Sequence, residues 1–139
     1  MNLLSLPGIE NVTQGFIDKL QGMSTLNGWD PLGLGYAMSF ESRFKTAAKN
    51  PYSTATGLIQ FTEPTANELG TSTAALRNMS AIDQLDYVEK FFKRYMTKVP
   101  TRPEDYELIV LGQSGMVGAS DDTVVFPGGS AGYTGNAMV

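Results

Sequence analysis

The sequence predicts a mainly α, compact domain with one small irregular β element near residues 50–60. Three observations predict it. Apolar residues recur at three- and four-residue spacing along several segments. Those segments are separated by Gly, Pro, Ser and Thr in positions that suit helix caps and turns. The stretch from Lys49 to Gln60 is too rich in Asn, Pro, Ser, Thr and Gly to continue a helix, and reads as a loop or small hairpin. With 139 residues, 42% of them hydrophobic, the chain suits one domain with a core of its own.

The elements follow in order. A first helix is expected from about Ile9 to Met23, with Val12, Phe16, Ile17 and Leu20 on one face. Asp30-Pro31 makes a helix entry with proline near the first position. The helix it opens runs to about Phe44, with Leu32, Tyr36, Phe40 and Phe44 spaced by fours. Gly33 and Gly35 lie inside it, at about 1 kcal/mol each against Ala, which points to close packing. A short helix over Glu63–Leu69 ends at Gly70, and another covers about Thr73–Asn78. The clearest helix starts at Ser80, with Asp83 three residues on, and carries the stripe Ile82, Leu85, Val88, Phe92 and Tyr95. Thr101-Arg102-Pro103-Glu104 reads as a capping box opening a last helix through Leu111, apolar nearly all round. Beyond it the chain is glycine-rich, with Asp121 and Asp122 as its only charges and Thr123–Phe126 as a possible strand.

Composition removes several function classes. With no Cys there is no disulfide framework, thiol nucleophile or Cys-based metal site. With no His there is no Ser-His-Asp triad and no imidazole base or ligand. Acid–base chemistry would rest on carboxylates, Lys or Tyr. A net charge of -4 argues against nucleic-acid binding through bulk positive charge. No segment reaches the roughly 18–20 apolar residues of a membrane span. The first eight residues lack the basic start and long apolar run of a signal peptide, so none is expected. Asp121-Asp122 without further ligands is too weak a signal for a metal site, and neither metal nor cofactor is assigned.

Glu41 is the first candidate for chemistry. It follows Ala37, Met38 and Phe40 near the end of a helix built to be buried. A carboxyl there is desolvated, which raises its pKa and suits a general acid near neutral pH. The plainer alternative is an exposed helix-end glutamate paired with Arg43 or Lys45. Gln60 interrupts the apolar run Gly57-Leu58-Ile59-Gln60-Phe61. Its amide suits a sugar hydroxyl or N-acetyl group, and equally suits the loop's own backbone. Gly57 allows a positive φ or a close ligand approach.

Taken together, Phe40-Glu41-Ser42, the run Asn50-Pro51-Tyr52-Ser53-Thr54-Ala55-Thr56-Gly57-Leu58-Ile59-Gln60-Phe61, Thr65-Ala66 and Leu69-Gly70 resemble the soluble lytic transglycosylase domain. That family belongs to the lysozyme-like superfamily, together with goose-type lysozyme. The likeness continues through Gln84-Leu85-Asp86-Tyr87-Val88 and from Tyr106 to Phe126, and is nearest to members in phage virions and tails. It implies a lead-in helix over 1–28, a lysozyme-like domain over 29–133 and a tail over 134–139. It also implies that Glu41 protonates the bond between N-acetylmuramic acid and N-acetylglucosamine and then acts as base. The substrate's N-acetyl group assists, and the muramyl 6-hydroxyl closes a 1,6-anhydro ring. This substrate assistance departs from the two-carboxylate scheme, and no second carboxylate stands in an obvious nucleophile motif.

The same resemblance places Ser42 and Gln60 against the glycan, Gly57 and Leu58 in the loop beside the cleft, and Phe61 beneath it. Tyr95 either points its hydroxyl toward Glu41 and the N-acetyl group or is a core aromatic with its hydroxyl at the surface. Where many members carry Ala-Tyr-Asn-Ala-Gly, this chain has Val110-Leu111-Gly112-Gln113-Ser114-Gly115, with Gln113 offering an amide from a similar place. Glu63 is the alternative water-activating carboxylate, or simply an acid at a helix start. The expected partners are peptidoglycan glycan strands and other virion or tail proteins or neighbouring domains. The expected location is the phage particle, acting in the bacterial periplasm and cell wall. The competing readings are a hydrolytic muramidase of the same fold and an inactive glycan-binding or structural virion module.

Overall fold

Asp30 begins the helix that packs on the last helix and on the first. Its carboxylate accepts from the Leu32 N–H at 2.9 Å, and Pro31 occupies the first helical turn, where a missing N–H costs nothing. The computed structural model describes residues 2–119, and the molecule is mainly helical. The helices are α1 (Gln14–Asn27), α2 (Pro31–Ser42), α3 (Glu63–Glu68), α4 (Thr73–Asn78), α5 (Ala81–Tyr95) and α6 (Asp105–Val110). Short 3-10 turns cover Leu3–Ser5, Ile9–Asn11 and Ser114–Met116. The β element expected near residues 50–60 consists of two isolated antiparallel bridges, Lys49 to Thr56 and Thr56 to Phe61. The expected strand Thr123–Phe126, the Asp121-Asp122 pair and the boundary at 133/134 lie outside the described residues.

Helix α2 packs mainly on α6, while α1 packs on α5 and on α2. Two glycines make these approaches possible. A Cβ on Gly33 would lie 2.1 Å from the fully buried ring of Tyr106, and one on Gly35 would lie 2.6 Å from Leu3. The Tyr106 hydroxyl in turn accepts from the Asp30 N–H at 2.8 Å, so the base of α2 and the start of α6 are fastened to each other. The core around them contains Phe16, Leu20, Leu34, Met38, Phe44, Leu58, Leu85, Val88 and Phe92.

Three expected boundaries shift for local reasons. Helix α1 starts at Gln14 because Thr13 is extended and its side chain accepts from the Phe16 N–H; Ile9–Asn11 is a separate 3-10 turn. It runs on to Asn27, where Gly28 closes it with a φ of 73°. Helix α2 stops at Ser42, as Arg43 and Phe44 both take left-handed backbone. The expected capping box at Thr101 does not form. Arg102 clamps Asp105 through Nε (3.1 Å) and Nη2 (2.8 Å), and α6 begins only there. Asp105 also accepts from the Gly118 N–H, tying the following segment to the helix start.

The stripe Leu32, Tyr36 and Phe40 is the half-buried side of α2, not its deepest one. The fully covered side carries Gly33, Leu34, Ala37, Met38 and Glu41. Gly33→Ala gains about 1 kcal/mol of helix propensity but sets a methyl against a ring with no room to retreat. A net loss of about 1–3 kcal/mol is expected, read as a lower urea midpoint with an unchanged m-value.

Candidate active site

Helix α2 delivers Glu41 to the interior one residue before it ends. Glu41 is 1% exposed and has no ion pair with Arg43 or Lys45, both of which face solvent. The helix-end ion pair is therefore not what the chain builds. Facing it from α6 is Glu107, 2% exposed. The two carboxyls are neighbours, close enough to hydrogen bond once one of them is protonated. As two carboxylates they would be poorly solvated in this setting, because among the described residues none of their four oxygens meets an N–H or O–H donor. Two contacting anions without a counter-charge in low dielectric are strongly disfavoured. The arrangement is satisfied when at least one carboxyl is protonated and donates to the other.

The electrostatics agree with that requirement. Burial pushes Glu41 above the ordinary glutamate range, partly offset by its hydrogen bond with Glu107. Burial pushes Glu107 well above that range, and the bond and charge of Glu41 add to the rise. Sequence reasoning missed Glu107. The available signal was a lone acid inside the apolar run Tyr106–Leu111, the same pattern that singled out Glu41.

The chain beyond Glu41 is held in costly backbone. Arg43 (φ 53°) and Phe44 (φ 60°) are left-handed, as is Gln60 (φ 60°) at the other end of the loop. Such conformations cost about 1–3 kcal/mol each and persist where surrounding structure over-determines them. Here Phe44 is buried edge-on against Phe16 with ring centres 6.1 Å apart, and the Arg43 carbonyl accepts from Asn11 Nδ2 at 3.0 Å.

The loop itself hangs on two side chains. Ser42 Oγ lies 2.8 Å from the Leu58 carbonyl and 3.1 Å from that of Met38, joining the loop to the end of α2. Gln84, fully buried on α5, accepts from the Leu58 N–H at 2.6 Å and donates to the carbonyls of Leu76 and Thr46. Gly57 makes this possible: its φ is 86°, and a Cβ there would lie 2.5 Å from Gln84 Oε1. Gln60 is 7% exposed and donates to the carbonyls of Ala48 and Gly57 at 3.1 Å each, while its Oε1 is buried without a partner. Phe61 packs edge-on against Phe91 beneath the loop.

Glu41, Ser42, Gly57 and Gln60 thus belong to one assembly, the end of α2 and the loop bonded to it. Tyr95 does not join them. Its hydroxyl donates to Glu68, which Arg94 also approaches at 3.4 Å, so the surface-hydroxyl alternative is the one observed. Tyr95 lines an open cleft of about 320 Å³ with Phe91, Ile109, Gly112 and Ser114. Gln113 lies between the last two of those, half-buried, with its N–H on the Leu108 carbonyl. Glu63 is committed elsewhere: its carboxylate accepts from the N–H and hydroxyl of Thr73, which hold its pKa down and fasten α3 to α4.

Two stability predictions follow from this geometry. Gln84→Leu leaves the Leu58 N–H and two carbonyls without partners, and is expected to lose about 2 kcal/mol or more in chemical denaturation. The pair adds a pH dependence. Because the folded-state values are raised, the unfolded chain releases these protons first. The stabilising contribution is complete below the ordinary glutamate range and drains away as pH rises through the raised values. Denaturation midpoints of the wild type should therefore fall between weakly acidic and neutral pH more steeply than those of Glu107→Gln. Comparison of the chain with protein-family models, with characterised proteins and with solved structures finds no match.

Proposed function

We propose that this chain is a peptidoglycan lytic transglycosylase that cleaves the β-1,4 bond between N-acetylmuramic acid and N-acetylglucosamine. The observation that carries the proposal is the desolvated, protonatable Glu41 at the end of α2, beside the loop on which the quoted motifs fall. In this reading Glu41 gives its proton to the glycosidic oxygen as the bond to C1 breaks. The N-acetyl carbonyl oxygen of the muramyl residue closes on C1. Glu41, now a carboxylate, takes the proton of the 6-hydroxyl, whose oxygen attacks C1 and reopens the N-acetyl ring. No water is consumed and the acid is regenerated. The buried amide oxygen of Gln60 is an acceptor suited to a sugar acetamido N–H.

The contact between Glu41 and Glu107 also bears on mechanism. Two-carboxylate glycosidases need their carboxyls about 5–5.5 Å apart for a covalent intermediate, or about 6.5–9.5 Å apart to admit a water. A hydrogen-bonded pair leaves neither gap, which supports substrate assistance over hydrolysis by these two groups. A net charge of -4 gives no long-range attraction to an anionic wall. Delivery by a virion or tail protein, or by a neighbouring domain, is part of the proposal.

One observation favours a second reading. Glu41 is 1% exposed, and segment 110–115 departs from the family's motif, as a non-catalytic glycan-binding or structural module would allow. Digestion of purified cell walls separates the readings. Wild type should release 1,6-anhydro muropeptides, identified by mass, and Glu41→Gln should fold normally and lose about 10²–10⁴-fold in rate. Hydrolysed reducing ends would assign a muramidase, and binding without product release would assign the module.

A further inference from the structure

Glu107 has no role in the mechanism above, yet its burial is costly. A glutamate wholly inside a helix interface is rare unless paired with a cation or metal. Among the described residues, neither it nor Glu41 has a Lys or Arg ion-pair partner. The other ionisable groups around the pair are acidic or neutral. Tyr36, one turn and more before Glu41 on α2, is kept a neutral phenol by burial and by the charges of Glu107 and Glu104. Asp105, two residues before Glu107, is turned to Arg102 and Gly118. What remains for Glu107 is Glu41.

We propose that Glu107 is a positioning residue that holds one proton jointly with Glu41, so that the acid of the reaction is a glutamate pair. The proposal rests on the reading of Glu41 as the catalytic acid. The singly protonated pair has one negative charge spread over two carboxyls and no unsatisfied donor. When the glycosidic oxygen takes the proton from Glu41, the pair is left with two negative charges in contact. That state faces the positive charge developing at C1, and it is strongly basic. It therefore draws the proton from the 6-hydroxyl in the second half of the reaction, and the singly protonated pair is restored. One proton leaves and one returns, with no other base required.

The consequence is a specific pH behaviour. In the wild type, activity persists until the last proton of the pair is lost, which the neighbouring charge defers to higher pH. In Glu107→Gln the neighbour is a permanent neutral donor, which stabilises the Glu41 carboxylate, so the acid form is lost earlier. The experiment measures wall digestion by wild type, Glu107→Gln and Glu41→Gln across pH. In parallel, the carboxyl carbons of isotopically labelled wild type are titrated by NMR. Glu107→Gln should lose about tenfold or more in rate at its own optimum, because the second proton transfer lacks the strongly basic pair, and its alkaline limb should move down by at least one pH unit. The wild-type titration should show Glu41 and Glu107 sensing the same two steps. Superimposable normalised pH profiles, or two independent single-step titrations, overturn the proposal. If Glu107→Gln does not fold, the wild-type titration decides alone. A fully active Glu41→Gln overturns the functional reading itself. An inactive Glu41→Gln beside an unshifted Glu107→Gln profile overturns only the pairing.

Discussion

The close crossing of α2 and α6 is the constraint on which the molecule depends. It exists because Gly33 presents no side chain to the ring of Tyr106, whose hydroxyl in turn engages the Asp30 N–H at the foot of α2. With the helices held this near, Glu41, two turns beyond Gly33, and Glu107, next to Tyr106, are carried into the same interior. Glu41 and Glu107 meet there as a geometric consequence, and with no donor to their oxygens among the described residues the doubly ionised pair is strongly disfavoured. The costs are real: a glycine in the middle of a helix and two desolvated carboxyls. Stability alone would favour an apolar pair at this crossing.

The second organising device is an amide. Gln84 reaches from α5 to three separate backbone groups, of Leu58, Leu76 and Thr46, and thereby joins the loop, the end of α4 and the segment after α2. Ser42 adds the link from the loop back to the residue next to Glu41. These bonds explain how a segment with only two isolated bridges keeps three left-handed non-glycine residues in place. They also show how residues with the chemistry of ligand contacts can have their hydrogen bonds taken up by the scaffold. Ser42 is committed to carbonyls, whereas Gln60 retains a buried, unpartnered oxygen.

Much of this was legible in the sequence where local chemistry decides. Thr62, Ser72 and Ser80 cap their helices through their own side chains, so α3, α4 and α5 stand close to where spacing and capping residues place them. Gly33 and Gly35 announced close packing, and Glu41 announced itself as an acid in apolar company. What failed were features decided across the fold. The side chain of Arg102 chose Asp105 over a capping arrangement, which no local pattern distinguishes. The period-four stripe on α2 marked its half-buried side because the deepest side is made partly of glycines and alanine, which carry little hydrophobic signal. Between the two alternatives that spacing left open for Tyr95, Glu68, an acid on a helix remote in sequence, decided for the surface hydroxyl. Glu107 carries the same local signal as Glu41, an acid in an apolar helix, and only the crossing of two helices distant in sequence brings it beside Glu41.

That no cation among the described residues neighbours the pair has a consequence for the medium around the protein. Proton affinities set by surface charges drift with dissolved salt, because mobile ions screen water-exposed groups over roughly 10 Å at 0.1 M. At Glu41 and Glu107 the main cause is burial, and the principal charge partner of each is the other carboxyl, in direct contact and away from solvent. Mobile ions do not enter that space. Dissolved salt therefore bears far less on the proton affinities of these two carboxyls than on whatever the exposed lysines and aspartates attract.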